Sequence, residues 1–421
     1  MTAAPAIKGW CPTLLSPMQS GDGWLVRIKP TAATLSAGAA RLVADAARRH
    51  GNGHIDLTSR ANLQVRGLTP RSSESFAETI LDAGLASADP SVEAVRNVIA
   101  SPLGIDDPAA AFDSHAPARE IEAMLGAEPA LSALPDKFGI LVDGGGTLPL
   151  AGVSADIMVR ADGSRLVVQL DGGTRASLCL PERLAETVGA IACAALHLAR
   201  ERREPPRRMR ALITDVGEEA VFKAAGLSPI TAPPLQASAT PPAGFLAYSG
   251  GGKGAFGVGL PFGRIDAEIL ALLAALSEEF ADGTLRTTPW RVLVLPGVAA
   301  SRTQELNDKV AALGLIADPA DARLRIFACV GAPSCQSATV DARGDASRIA
   351  GIFSATGNRT IHVSGCAKSC AHRGAAALTL VGRDGRYDLI RNGGAGDRPS
   401  LTGLSADDAI ALLRAVRGAR P

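Results

Sequence analysis

Aromatic side chains are scarce: ten Phe, three Trp and two Tyr amount to 4% of 421 residues. Hydrophobic residues nevertheless reach 47%, enough for sizeable cores, with Ala and Gly supplying much of the total. Charge of one sign is also lacking. Forty-three Lys and Arg meet 42 Asp and Glu, so the totals suggest no nucleic-acid partner and leave room only for a local basic pocket. No long apolar run exists. The most apolar helical stretch, Val188 to Leu196, is far too short to span a bilayer, so no membrane association is expected. The opening "MTAAPAIKGWCPTLL" has no basic start followed by an apolar run, so a cytoplasmic protein is expected. The "GGGKG" at 250–254 lacks the spacing and the Ser/Thr of a phosphate loop. No G-x-G-x-x-G follows a strand-like run, so a nicotinamide site is not expected and electrons should come from a separate reductase. Cysteines number only seven. In a reducing compartment, clustering among so few points to metal or redox chemistry rather than disulfides.

What is present is a duplication. "GDGWLVRIKP" (21–30) has a partner in "GKGAFGVGLP" (252–261), and each precedes an apolar helical pattern and a strand-like run. Further on, "ADIMVRADGSRLVVQLDGG" (155–173) parallels "ALTLVGRDGRYDLIRNGG" (377–394). Both read as hairpins closed by Asp-Gly turns, with a helical segment after each. The Pro-, Ala- and Ser-rich stretch 226–244 reads as a linker. The expected units are 1–75 and 245–300, each a strand–helix–strand half-domain, and 76–225 and 301–421, each a larger mixed unit. A duplicated chain has a pseudo-twofold interface, a natural place for a large ligand.

Four cysteines fall in the second copy only: Cys329 and Cys335 in "CVGAPSC", Cys366 and Cys370 in "GCAKSCAHRG". Aligning "FGILVDGGG" of the first copy with "IHVSGCAKS" of the second shows no cysteine in the first. Four thiolates suit a [4Fe–4S] cluster or a structural zinc. The five-residue gap between Cys329 and Cys335 fits a zinc knuckle poorly, which favours the cluster. Cys366 and Cys370 would share one face if a helix started there, and its free amides would favour an anionic cluster. Cys179 and Cys193 sit in apolar patterns and read as packing residues; Cys11 reads as a local structural residue.

The duplication, the C-x5-C…C-x3-C pattern, "LTSRANLQVRG", "VRNVIASPLGIDD" and "LPDKF" together resemble the siroheme-dependent nitrite and sulfite reductase superfamily over nearly the whole chain. Within it, "CPTLLSPMQSGDGWLVRIKP", "RTTPWRVLVLPG" and "SGCAKSCAHRGAAALTLVGRDGRYDLIRNG" are most similar to the branch that oxidises precorrin-3A with O2 in aerobic cobalamin biosynthesis. The resemblance implies an α+β fold of two ferredoxin-like half-domains and two larger α/β domains around a central pocket. It implies hydroxylation of precorrin-3A at C20 with closure of a lactone, a [4Fe–4S] cluster, a mononuclear non-haem iron and NADH as ultimate reductant. Siroheme is not expected as a resident cofactor. A siroheme nitrite or sulfite reductase is the alternative enzyme, and an iron–sulfur scaffold or tetrapyrrole carrier the non-enzymatic one.

A macrocycle ringed by carboxylates needs inward Arg and Lys groups. By resemblance, Arg60, Arg96 and Lys137 fall at the macrocycle- or anion-facing basic positions. Gly139 stands where reductases often carry another polar side chain. Arg286, the repeat-equivalent of Asp56, and Arg291 behind it are expected as further anchors. His372, two residues past the last cysteine, is the candidate for an iron ligand, a donor to cluster sulfur or a substrate contact, since imidazole suits non-haem iron. The basic run "RERREPPRRMR" (200–210) reads as a solvated helix end.

Overall fold

The computed structural model describes residues 10–163, 165–233, 242–353 and 359–418. Four sheets organise them. In the first copy the strand Gly23–Ile28 alternates core-facing Val26 and Ile28 with polar Arg27 and Lys29, the period-two pattern of a sheet with one buried face. It pairs antiparallel with Leu63–Leu68, which pairs with His54–Leu57. The helix Ala37–His50, capped by Ser36, covers the apolar face with Ala40, Val43, Ala44 and Ala47. In the second copy, Lys253–Gly259, Val292–Ala299 and Thr284–Thr287 repeat the arrangement beneath the helix Ala267–Phe280.

The two half-domains are not separate bodies. Thr34–Ser36 of the first copy completes the second copy's sheet by pairing with Thr284–Thr287, and Arg264–Asp266 of the second completes the first by pairing with His54–Leu57. Their helices pack together, and a single core runs through both. The small side chains that take the place of aromatics permit this close helix contact.

Two expected boundaries move. The helix Pro70–Asp82 spans residue 75, and its Phe76 and Ile80 are wholly buried in the shared core. Burying each contributes about 1.5–3 kcal/mol, so the unit runs on through Asp82. Likewise Leu306 and Val310, on the helix Thr303–Ala312, belong to that core and carry the second half-domain past residue 300. The linker is also shorter than 226–244. Pro229–Thr231 pairs with Arg175–Cys179, Gly244 opens a strand, and residues 234–241 lie outside the described residues.

The larger units share one topology. Val98–Ala100, Ile140–Asp143 and Ile157–Asp162 run parallel, and Arg165–Leu170 returns antiparallel. In the second copy Ile326–Ala328, Ile361–Ser364, Ala376–Arg383 and Arg386–Gly393 do the same. Because the registers match, Ile140 corresponds to Ile361 and Val98 to Ile326. This shifts the alignment of the two strands by two residues from the one read off the sequence: Gly145, not Asp143, stands opposite Cys366. Among the described residues no helix is long and apolar enough to cross a membrane.

Candidate functional site

Cys329 and Cys366 leave the carboxyl ends of two adjacent parallel strands, the edge at which open α/β sheets gather ligands. The Cys329 amide donates to the Val363 carbonyl at 3.2 Å, and the Gly365 amide donates to the Cys329 sulfur at 3.0 Å. Beyond Cys329 the chain turns tightly at Gly331, whose φ is +76°; a Cβ there would lie 2.6 Å from the Ala342 amide nitrogen. The turn lets the Cys335 amide reach the Gly331 carbonyl at 2.9 Å. Residues 366–370 form a turn and not a helix, with Ser369 at φ +57°. The helix-end amides expected there are therefore absent, and the Gly365 amide supplies a donor to sulfur instead. Lys368 Nζ donates to Ser337 Oγ at 3.0 Å and ties the two cysteine loops together.

The first copy fastens this site. The Ser334 carbonyl accepts from the Gly21 amide at 3.0 Å, Ser20 Oγ at 2.8 Å and Arg66 Nη2 at 2.9 Å. Arg66 is itself clamped by both oxygens of Asp22, at 2.9 and 2.8 Å.

All four thiols are free and lie within electrostatic reach of one another. Burial pushes the Cys370 thiol up, and Cys329, Cys366 and Cys335 push it further; burial raises Cys329 in the same way. Among the described residues, no three His, Cys, Asp or Glu side chains form a group that could hold a single metal ion. The expected mononuclear iron finds no ligand set among the described residues. His372 stacks on Phe327 at 4.4 Å, meets His362 edge-on at 5.8 Å and has its Nε2 3.3 Å from the Ala375 carbonyl.

Two narrow clefts, each of about 10 Å3, share Arg60, Asn62 and Asn97. One also has Gly139 and Ser154 in its wall; the other has Cys11, Arg27, Lys29 and Asp136. Cys11 is thus a cleft residue and not merely a local structural one. Arg60 is half-buried, and its Nη2 donates to the Lys137 carbonyl at 2.8 Å. The Lys137 ammonium has no partner among the described residues. At Gly139 a Cβ would meet its nearest neighbour at 3.7 Å, ordinary contact, so packing does not demand glycine there and the missing side chain leaves the cleft open.

Arg27 and Lys29 escaped the sequence reading. Their signal was the i, i+2 spacing in "VRIKP", which puts both on the polar face of the strand. Burial pushes the Arg27 pKa down, and the thiols of Cys11 and Cys370 oppose that; its Nε donates to Gln64 Oε1 at 3.2 Å. Burial lowers Lys29 to about 8, against the opposing charge of Glu93; its Nζ donates to the Glu93 and Ala94 carbonyls.

Three expected anchors are engaged elsewhere. Arg96 is buried against Glu93 at 3.0 Å and Glu122 at 3.2 Å, and it also donates to the Lys29 carbonyl and Thr31 Oγ1. Two buried carboxylates neutralise it, so it braces the wall behind Lys29 and does not face a ligand. Arg286 pairs with Asp106 at 2.7 Å and Asp282 at 3.4 Å. Arg291, at φ +61°, donates to the Ala371 carbonyl at 2.6 Å and covers the Phe327 ring at 5.1 Å. The clefts therefore bring Arg60 together with Arg27, Lys29 and Cys11, and Lys137 meets Arg60 through its backbone carbonyl. Arg96, Arg286 and Arg291 serve as structural cations.

The paired half-domains and the cysteine-bearing sheet define the class. The model of the nitrite/sulfite reductase ferredoxin-like half domain matches residues 16–83 and 249–313. The solved structure of NirA from Mycobacterium tuberculosis superposes with a TM-score of 0.76 over 94% of this chain and 82% of that one, at 20% identity, so the fold is shared. A ferredoxin–nitrite reductase of Synechococcus elongatus is 24% identical over 96% of this chain and 87% of its own length. These mark an α+β protein of the nitrite and sulfite reductase superfamily, whose members are iron–sulfur oxidoreductases. Within it, a precorrin-3B synthase of a Sinorhizobium species is 32% identical over 95% of this chain and 86% of its own. The chain belongs to the precorrin-3B synthase family.

Proposed function

We propose that the chain carries out the reaction of its family: oxygen-dependent hydroxylation of precorrin-3A at C20 with closure of the ring-A acetate to a lactone. One oxygen atom enters the product. The other leaves as water, with two electrons and one proton supplied from NADH through a separate reductase and the second proton from solvent. Cys329, Cys335, Cys366 and Cys370 hold a [4Fe–4S] cluster in this reading, and the cluster supplies single electrons. The observation that carries the reading is that one strand serves both places: Arg27, in the cleft, donates to Gln64 Oε1 at 3.2 Å, and Arg66, two residues beyond Gln64, donates to the Ser334 carbonyl beside Cys335 at 2.9 Å.

The clefts are each roughly the size of one water molecule. In this reading the macrocycle lies across their mouths, with its carboxylates turned toward Arg60, Arg27 and Lys29. Charge-assisted bonds of this kind orient a planar ring without holding it as permanently as an axial ligand would. Siroheme is not a resident cofactor in this reading.

The test is anaerobic purification with a visible spectrum, then oxygen uptake with precorrin-3A and a reductant. Expected are iron–sulfur absorption without siroheme, and a product heavier by one oxygen. Stoichiometric siroheme together with nitrite or sulfite reduction would replace this reading with the reductase one. Binding of precorrin-3A without oxygen uptake would leave a carrier.

A further inference from the structure

The basic run 200–210 does more than end a helix in solvent. Between the end of the helix Leu184–Arg200 and the start of Met209–Val216 lies a cavity of about 140 Å3. Its floor is apolar: Leu134, Phe138, Met209 and Leu212 are all buried and belong to the core of this unit. Arg200 and Arg207 also line it, both exposed and both without a partner among the described residues. Their neighbours in the run are committed: Arg202 to Asp215 at 2.8 Å, Arg208 to Asp156 at 2.9 Å and Arg210 to Asp171 at 2.8 Å.

We propose that this cavity is a second ligand site, for a small carboxylate with an apolar body about the size of a six-membered ring. Its volume is close to the about 150 Å3 of an apolar cavity that takes up benzene, and it opens to solvent where Arg200 and Arg207 stand. Two unpaired guanidiniums at its edge match one carboxylate, which Arg binds in a fork geometry. The occupant also bears on the clefts. The loop 134–139 forms a shared wall, with Leu134, Pro135 and Phe138 on the apolar cavity and Asp136 and Gly139 on the narrow clefts. Arg60 holds this loop by the Lys137 carbonyl. A filled cavity braces the loop from behind.

Cyclohexanecarboxylate is the probe, with cyclohexanecarboxamide as the uncharged control, titrated calorimetrically into the full chain without macrocycle. This keeps the outcome independent of the proposed reaction. Saturable binding at one site is expected, with the amide weaker by about tenfold or more, the loss of one charge-assisted contact. The doubly charge-reversed variant Arg200→Glu/Arg207→Glu alters only exposed side chains and should fold normally while losing binding by at least as much. Ala199→Trp, which fills the cavity, should abolish binding. In wild type, saturation should slow hydrogen exchange at the Phe138 and Gly139 amides. Absence of saturable binding, or binding unchanged by charge reversal, would overturn the site; binding with unchanged exchange would overturn the bracing.

Discussion

The Gly365 amide donates a hydrogen bond to the Cys329 sulfur at 3.0 Å, and the first copy repeats this contact with oxygen in place of sulfur. There the Gly144 amide donates to Ser101 Oγ at 2.9 Å, and Ser101 in turn donates to Asp143 at 2.9 Å. The same corner of the duplicated sheet is a thiol in one copy and part of a closed polar network in the other. Cys329→Ser should therefore keep the fold, because the first copy shows that serine satisfies this amide. It should lose the iron–sulfur absorption of the purified protein. Near-native thermal unfolding with a bleached spectrum is the expected pair of results.

Arg60 and Arg96 should separate binding from stability. Arg60→Ala removes a half-buried cation with no carboxylate partner, and should weaken macrocycle binding by about 1.5–3 kcal/mol with little change in unfolding. Arg96→Ala strands Glu93 and Glu122 in the interior and should destabilise the chain by about 3–5 kcal/mol. Denaturant titration and ligand titration on both variants check this; a stable Arg96→Ala protein with lost binding would return Arg96 to the ligand.

Lys29 should give binding a pH dependence. With its pKa lowered by burial to about 8, its charge is present below that pH and lost above it. Macrocycle affinity should fall as pH rises through about 8, and Lys29→Arg should carry the fall to higher pH. The stability effect runs the other way. Because the folded value lies below the ordinary lysine value, the cost of burying the charge is full below about pH 8 and shrinks as pH rises toward 10.5.

Arg66→Ala should loosen the cluster loop, since Arg66 and two first-copy neighbours converge on the Ser334 carbonyl. Faster loss of iron to a chelator is expected, measured as bleaching at constant temperature. Arg66→Lys should rescue it only partly, because an ammonium cannot reproduce the fork on Asp22.

His362 is wholly buried, and neither ring nitrogen has a hydrogen-bond partner among the described residues. Its counterpart by register is Leu141, packed among Ile99, Leu150, Ala155 and Met158. His362→Leu should be neutral or stabilising by about 1–3 kcal/mol, the cost of leaving a buried polar group unpaired. Burial, then His372 and Arg291, lower the His362 pKa to about 4. Stability from its neutral form is present above the free value of 6.5 and is lost as pH falls toward 4. The leucine variant should resist acid better over that window, as pH-dependent unfolding would show.

The sequence by itself determined the duplication, the hairpins and the four cysteines, because turns, period-two alternation and ligand spacing are local properties of the chain. It also determined the family through motifs that stay contiguous. Tertiary structure alone decided which cations are free. Arg96, Arg286 and Arg60 look alike in the sequence, and only the carboxylates that fold against the first two, Glu122 and Asp106 among them, neutralise them. Tertiary structure also decided that the half-domains exchange strands, since the pairing of Thr34–Ser36 with Thr284–Thr287 joins residues some 250 positions apart. Charge compensation and strand exchange depend on partners distant along the chain, and no local pattern carries that information.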